Sequence, residues 1–353
     1  MDLIIPAAGR SSRFPNMRPK WLLTQPDGSL MVISAIRGLP LEKFDKIHLI
    51  VLQEHLEKYN CTDGIKAAFK EENLLHKLNL VVLDTPTSSQ PETVYVTLKS
   101  EGISGPFYIK DSDNYFEANV DDQNSVTTFN LKDMDNVNPG NKSYVSKNEK
   151  GIVTNIIEKK IISSEFCCGG YTFRSSSDFI DAYDNLKDNK SLYLSHLIFY
   201  LTLQGKFFVT HESQNYIDWG TLKDWNSYKS SFATIFLDID GVLVKNSGKY
   251  FSPKWGETGA LIPNKNVINE LYDSGNVEII LTTSRGQEFE KTTKDQLHRS
   301  GVKYHRLIMG LMHCRRIIVN DFADSNPYPA CSSVNIKRND KDHLRKMIES
   351  IMN

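Results

Sequence analysis

Short apolar runs, each closed by a polar or glycine-bearing loop, punctuate the first two thirds of the chain. The first is Leu3, Ile4 and Ile5, followed at once by Pro6, Ala7, Ala8, Gly9, Arg10, Ser11 and Ser12. Residues 47–52 and 80–83 repeat the pattern with a helical stretch, 62–75, between them, and residues 107–110 end in Asp111, Ser112, Asp113 and Asn114. Continuous apolar runs of this length predict strands buried on both faces. Their alternation with helix-like segments predicts an α/β, Rossmann-like, doubly wound mixed sheet whose ligands sit at the strand carboxyl ends. The pattern restarts near residue 233, where residues 234–237, 277–281 and 317–319 are three further strand candidates. The stretch 121–150, rich in Asn, Asp, Lys and Ser, breaks the pattern and is expected to be a surface excursion.

A chain of 353 residues is too long for one ordinary core. Two domains are expected, 1–228 and 232–353, joined by a short polar connection that holds Ser227, Ser230 and Ser231. The formal net charge of -1 gives no reason to expect nucleic acid or an anionic membrane as partner. Five cysteines form no C-x-x-C pair, and no apolar run reaches membrane-spanning length or resembles a secretory leader. A cytoplasmic protein without membrane insertion is the expectation, with oligomeric state left open, a homo-oligomer included.

The opening loop is where chemistry first enters. Gly9 has no Cβ to obstruct a phosphate, backbone N–H groups are plentiful, and Arg10, Arg13 and Lys20 supply cations that can clamp phosphates and meet charge growing during reaction. One glycine excludes both the P-loop and the dinucleotide fingerprint. The order strand, Ala8-Gly9, Arg13, Pro19-Lys20 resembles the signature of the sugar-phosphate nucleotidyltransferase family. That resemblance implies nucleotide binding by Ala7, Ala8, Gly9, Arg10, Ser11 and Ser12, with Arg13 and Lys20 catalytic. It places base reading in the loop Thr87, Ser88, Ser89, Gln90 and Thr93, where a helix cap at Ser88 or Ser89 is an equal reading of any single side chain. It puts Mg2+ on Asp113, with Asp111 beside the nucleotide and Asp218, in Asp218-Trp219-Gly220-Thr221, as the second carboxylate. Hard oxygen ligands at strand ends suit that ion. It lines the acceptor pocket with Glu158, Lys159, Gly170 and Tyr171, although Lys159 beside Lys160 also reads as a solvated edge pair.

In the last third, residues 234–237 lead into Asp238-Ile239-Asp240-Gly241, two acids at one strand end suited to attack on phosphorus and protonation of the leaving oxygen. Thr282-Thr283-Ser284 and Asn320-Asp321-Phe322-Ala323-Asp324 follow in order. This resembles the haloacid dehalogenase superfamily of phosphatases. The resemblance implies a second, smaller Rossmannoid α/β domain, capless because only residues 245–264 separate its first two motifs. It implies Mg2+ on Asp238, Asp240 and Asp321, catalysis by Asp238 and Asp240, and phosphate binding by Thr283, Ser284 and Arg316. The expected lysine before the last acids is absent; Arg316 or the earlier Lys294 stands for it.

Together the two resemblances imply a bifunctional enzyme. Its front domain would transfer a nucleotidyl group, favouring cytidylyl from CTP, to a small phosphorylated sugar, polyol or choline-like acceptor and release pyrophosphate, for surface polysaccharide such as capsule. Its back domain would be a phosphatase acting on a related intermediate. The alternatives are a uridylyl- or thymidylyltransferase, a phosphatase whose front domain only senses nucleotide, and a scaffold without catalysis.

Overall fold

In the computed structural model, which describes residues 1–9, 13–134, 139–189, 191–322 and 329–352, strand β1 (Asp2–Pro6) sends alternate side chains to two separate cores. Ile4 joins one and Leu3 and Ile5 the other, all fully buried. β2 (Ile47–Leu52) divides in the same way, with Ile50 and Leu52 on one face and Ile47, Leu49 and Val51 on the other. Side chains of a strand alternate across the sheet, so an unbroken apolar run is what a strand covered on both faces needs. One face lies under the helices Gln90–Ser100, Ser176–Leu186 and Leu194–Leu203, and the other under Met31–Ile36 and Thr62–Glu71. This is the doubly wound α/β layering that the sequence predicts.

The remaining strands of this part are β3 (Leu78–Leu83), β4 (Phe107–Lys110), β5 (Asn114–Glu117), β6 (Ser125–Asn130), β7 (Ser143–Lys147), β8 (Val153–Glu158), β9 (Glu165–Phe173), β10 (Val209–Glu212) and β11 (Gln214–Asp218). The main sheet runs β10-β6-β9-β4-β1-β2-β3, with β7 and β8 attached beside β9. β1 is parallel to β2 and β4, whereas β9 runs antiparallel to β4 and β6, so the sheet is mixed. β5 and β11 form a separate antiparallel pair with Asp218 opposite Asn114.

The stretch 121–150 is not a surface excursion. β6 lies inside the sheet and its residues 125–128 are buried. Its polar side chains are tolerated there because they pair. Ser125 Oγ donates to Thr172 Oγ1 at 2.9 Å, and Tyr108 Oη and Thr127 Oγ1 share a hydrogen bond of 2.7 Å.

The chain divides into two compact units, Met1–Trp225 and Asn226–Asn353. The second holds a three-stranded parallel sheet of β12 (Ala233–Asp238), β13 (Val277–Thr282) and β14 (Arg306–Ile308) in that order. The helices Ile262–Asp273 and Leu344–Met352 complete its own apolar core. The strand expected at 317–319 does not form: Ile317, Ile318 and Val319 are 71%, 55% and 91% exposed. An apolar run becomes a strand only where a neighbour takes its backbone groups, and among the described residues β12 remains an edge strand without one on that side.

Candidate nucleotide and metal site in the first unit

The carboxyl ends of β1 and β4, adjacent and parallel, open into a cavity of about 300 Å3 lined by Ala7, Gly9, Arg13, Lys20, Gln90, Asp111 and Asp113 among others. Adjacent parallel strands whose connections leave in different directions make such a crevice, and its floor is backbone. No described atom lies within 4 Å of where a Cβ on Gly9 would stand, so this position faces open space. Ala8 differs: it is fully buried in the core under the helix Gln90–Ser100 and can offer only its backbone. Trp21 also lines the cavity, and its buried indole N–H meets no acceptor among the described residues, leaving one donor there. Arg10, Ser11 and Ser12 lie outside the described residues.

Two acids remote in sequence converge beside this cavity. The backbone N–H of Trp219 donates to the Asp113 carbonyl at 2.9 Å, and the pairing of Asp218 with Asn114 brings the end of β11 to the end of β4. The point where a Cβ on Gly220 would stand is 3.0 Å from Asp218 Oδ1, 3.4 Å from Asp113 Oδ2 and 3.6 Å from Arg13 Nη1. Lys20 Nζ donates to Asp113 Oδ2, and Arg13 Nη2 stands 3.7 Å from the same oxygen. Burial alone would push the Asp113 carboxyl up. The Lys20 ammonium, helped by Arg13 and Lys142, outweighs it and holds the carboxyl at about 2. Asp218 is paired as well, accepting from Lys142 Nζ and, through Oδ1, from the Gly220 N–H at 2.9 Å.

Two carboxylates suit Mg2+, which takes one or two acids, keeps waters and accepts phosphate oxygens. Among the described residues no group of three or more His, Cys, Asp or Glu side chains is arranged to hold an ion.

Beneath the acids lies a lysine that sequence reasoning did not single out. Lys110, the last residue of β4, is fully buried. Its Nζ donates to the carbonyls of Asp111 and Asn114, each at 2.9 Å, and to Asn114 Oδ1 at 2.5 Å, with the Phe116 ring 4.3 Å away. All three oxygens belong to the loop that carries Asp113, so one cation fastens both ends of that loop. Burial pulls the Lys110 ammonium down to about 8. Asp111 accepts from Gln90 Nε2, and burial together with the Asp113 charge pushes its carboxyl up. Its Oδ2 lies 2.5 Å from where a Cβ on Gly169 would stand, at φ +91°, so only glycine fits there.

In the loop after β3, Gln90 alone among the base-reading candidates lines the cavity. Ser89 caps the helix Gln90–Ser100 by accepting from the Glu92 N–H at 3.3 Å. Ser88 gives its N–H and Oγ–H to Glu92 Oε2, and Thr87 is hydrogen-bonded to Thr93 at 2.6 Å. Their side chains are occupied with starting the helix.

Of the residues expected to line an acceptor pocket, Glu158 accepts from Ser143 Oγ and, at 3.0 Å, from Ser195 Oγ, while Lys159 Nζ donates to Tyr193 Oη at 2.6 Å. Gly170 and Tyr171 lie inside the sheet and line no part of the cavity. A Cβ on Gly170 would stand 2.0 Å from Tyr108 Oη, and Tyr171 belongs to the core, where burial pushes its hydroxyl far up.

The second unit presents its acids differently. Arg285, wholly buried, forks onto Asp240 with Nε to Oδ2 and Nη2 to Oδ1, both 2.8 Å, and is itself held by Thr293 and Gln296. Asp238 keeps an exposed face, yet partial burial and the Asp240 charge push its carboxyl up. Thr283 is buried, with its Oγ1 accepting from the Arg285 N–H at 3.2 Å, and Ser284 Oγ is 3.4 Å from His313 Nδ1. Arg316 folds back onto the carbonyls of Met312 and Cys314, and Asp321 is exposed on the irregular segment. Asp324 lies outside the described residues.

No family model matches the chain, and no curated protein matches it. Solved structures do. A nucleoside-diphosphate-sugar pyrophosphorylase from Vibrio cholerae RC9 superposes with a TM-score of 0.54 at 19% identity, covering 64% of this chain and 98% of its own. The inositol-1-phosphate CTP transferase of T. maritima gives 0.50 at 14%, covering 63% and 90%. A UDP-glucose pyrophosphorylase complexed with UDP-glucose gives 0.51 at 14%, covering 65% and 97%. At these identities the likeness is one of fold: close to two thirds of this chain shares the mixed α/β fold of solved nucleotidyltransferases.

Proposed function

We propose that the first unit is a Mg2+-dependent nucleotidyltransferase that moves a nucleotidyl group from a nucleoside triphosphate to a small phosphorylated acceptor. The observation that carries this reading is the convergence of Arg13, Lys20, Asp113 and Asp218 beside a cavity lined by Ala7 and Gly9 of the loop after β1. The fold shared with solved nucleotidyltransferases supports it.

An oxygen of the acceptor's phosphate attacks the α-phosphorus, an O–P bond forms, and the bond to the β-phosphate oxygen breaks with release of pyrophosphate. Bound at Asp113 and Asp218, Mg2+ would supply charge neutralisation on the phosphates. The chain's residues do the rest by position. Backbone N–H groups around Gly9 receive the triphosphate, Arg13 and Lys20 stabilise charge that grows on it, and Lys110 keeps the acid loop in place. Gln90, which lines the cavity and whose amide donates to Asp111, would meet a base edge. Glu158 and Lys159 receive the acceptor.

CTP is the favoured donor and a sugar, polyol or choline-like phosphate the favoured acceptor, with surface polysaccharide as the destination. We assign the second unit a phosphatase role on Asp238, Asp240 and Asp321, with Thr283, Ser284 and Arg316 toward phosphate and Mg2+ as its ion. The test is a matrix of four nucleoside triphosphates against phosphorylated sugars, polyols and phosphocholine, scored by pyrophosphate. Turnover with CTP and one acceptor class is the expected outcome. Turnover with UTP or dTTP alone would reassign the base, and nucleotide binding without pyrophosphate release would leave a sensing module.

A further inference from the structure

Lys142 falls in the stretch that the sequence leaves unread, and no role above employs it. It stands one residue before β7 and opposite Lys159 across the β7-β8 ladder: the Lys159 N–H donates to the Lys142 carbonyl at 2.9 Å, and the next rung pairs Ser143 with Glu158. The two lysines share a backbone rung but differ in setting. The Lys159 side chain is 46% exposed and reaches Tyr193. That of Lys142 is 12% exposed, and its Nζ donates to Tyr216 Oη at 2.6 Å and to Asp218 Oδ2, with the Tyr216 ring 5.1 Å and the Phe166 ring 5.6 Å away.

Each acid of the converging pair therefore holds one lysine, Lys20 on Asp113 and Lys142 on Asp218. They come from different elements. Lys20 lines the nucleotide cavity, whereas Lys142 comes from the strand pair that carries Glu158 and Lys159. A transfer between two phosphates needs a cation between them, because the attacking oxygen must come within about 3–3.5 Å of the α-phosphorus against the repulsion of two anions. Lys142 already touches Asp218 and has lost most of its water, so a phosphate arriving from the Glu158 side meets it at small desolvation cost.

Resting on the nucleotidyltransferase reading above, we propose that Lys142 binds the acceptor's phosphate and holds its attacking oxygen beside Asp218. It gives up no proton in doing so; its ammonium moves from sharing a carboxylate to sharing a phosphate.

The experiment uses the full chain loaded with Mn2+ and the α,β-methylene analogue of whichever triphosphate the turnover matrix selects, with inorganic phosphate as the probe for the acceptor's phosphate. Paramagnetic relaxation of the 31P signal reports phosphate beside the metal, and electron paramagnetic resonance counts free Mn2+. Lys142→Met is expected to weaken phosphate binding at least 10-fold while Mn2+ and analogue binding stay within 2-fold, and Lys142→Arg is expected to restore part of the loss. Should the Met variant fail to fold, as judged by its thermal transition, Lys142→Gln carries the same expectation. Unchanged phosphate binding in the variants, or no saturable phosphate binding by the wild-type analogue complex, overturns the proposal. A gain in Mn2+ affinity with phosphate binding intact would make Lys142 only the counter-charge of Asp218 and also overturns it. Wild-type protein that binds no Mn2+-nucleotide at all defeats the nucleotidyltransferase reading itself, a result distinct from these.

Discussion

Asp113 and Asp218 come from strands far apart in sequence and meet because β5 pairs with β11, whereas Asp238 and Asp240 stand two residues apart at the end of one strand. Their surroundings differ as much as their origins. In the first unit each acid holds a lysine, and a lysine bond can be exchanged for a metal or a phosphate with modest rearrangement. In the second, Asp240 is gripped by a two-pronged, wholly buried guanidinium that the side chains of Thr293 and Gln296 keep in place, and only Asp238 is left facing outward. The first arrangement has two acids ready to trade partners. The second has one fixed acid and one available.

The sharpest way to break this comparison is at Lys20. Under the proposed nucleotidyl transfer, Lys20→Ala would remove a cation aimed at charge that develops in the reaction, so pyrophosphate release should fall about 1,000-fold, roughly 4 kcal/mol of barrier, while hydrolysis of a generic phosphomonoester by the same preparation is unchanged. Retention of more than a tenth of the transferase rate would remove Lys20 from the chemistry.

Arg285→Met attacks the other side. It leaves the Asp240 carboxylate without its buried partner and should destabilise the second unit by about 3–4 kcal/mol in denaturant unfolding. Adding Asp240→Asn should recover part of that loss, since no uncompensated charge then remains. Simple additivity of the two changes would mean the pair is not coupled.

Gly170→Ala asks whether β9 serves the core or the acceptor. The added methyl would meet Tyr108 Oη and Thr127 Oγ1 at 2.0 and 2.6 Å, so the expected loss is about 2–3 kcal/mol of stability. The acceptor KM of the folded fraction should not move.

A titration sharpens the same contrast. Folded Lys110 loses its proton near 8 and unfolded lysine near 10.5, so between these values the unfolded state binds more protons and stability rises with pH. Below 8 the buried charge costs its full amount. Lys110→Met should flatten that rise, an effect on the order of 1–3 kcal/mol across the window, read as the difference in urea midpoints of wild type and variant. An identical slope in both proteins would show that Lys110 is not the group titrating.

What the sequence disclosed follows from which interactions are local. The strands at 47–52 and 107–110 were legible to the residue because burial on both faces demands uninterrupted apolar runs. The convergence of residues 113 and 218 was legible only through a resemblance, since strand pairing across the sheet leaves no mark in spacing. β6 was missed because Ser125 and Thr127 look solvated until their hydroxyl partners on β9 and β4 are known. Lys142 and Lys110 were missed for a related reason: a lysine reads as surface unless the acceptors that compensate its burial are in view. A charge at the end of an otherwise apolar strand, as at Lys110, was the one available signal.

The weakest expected effect tests the part of the second unit where sequence and structure part company. Residues 317–319 were expected to form a strand that would deliver Asp321 to Asp238, and instead they are exposed, with Asp321 on the irregular segment beyond them. A carboxylate so placed makes little difference to folding. Asp321→Asn should therefore leave unfolding free energy within about 0.5 kcal/mol, against the several expected at Arg285. The same variant assayed for Mn2+ binding separates placement from function: if Asp321 serves as a metal acid, affinity at the second unit falls although stability does not. Loss of stability as large as that of Arg285→Met would instead mean that the segment is packed in solution, and that the second unit's acids are more alike than Asp240 and Asp321 look in this structure.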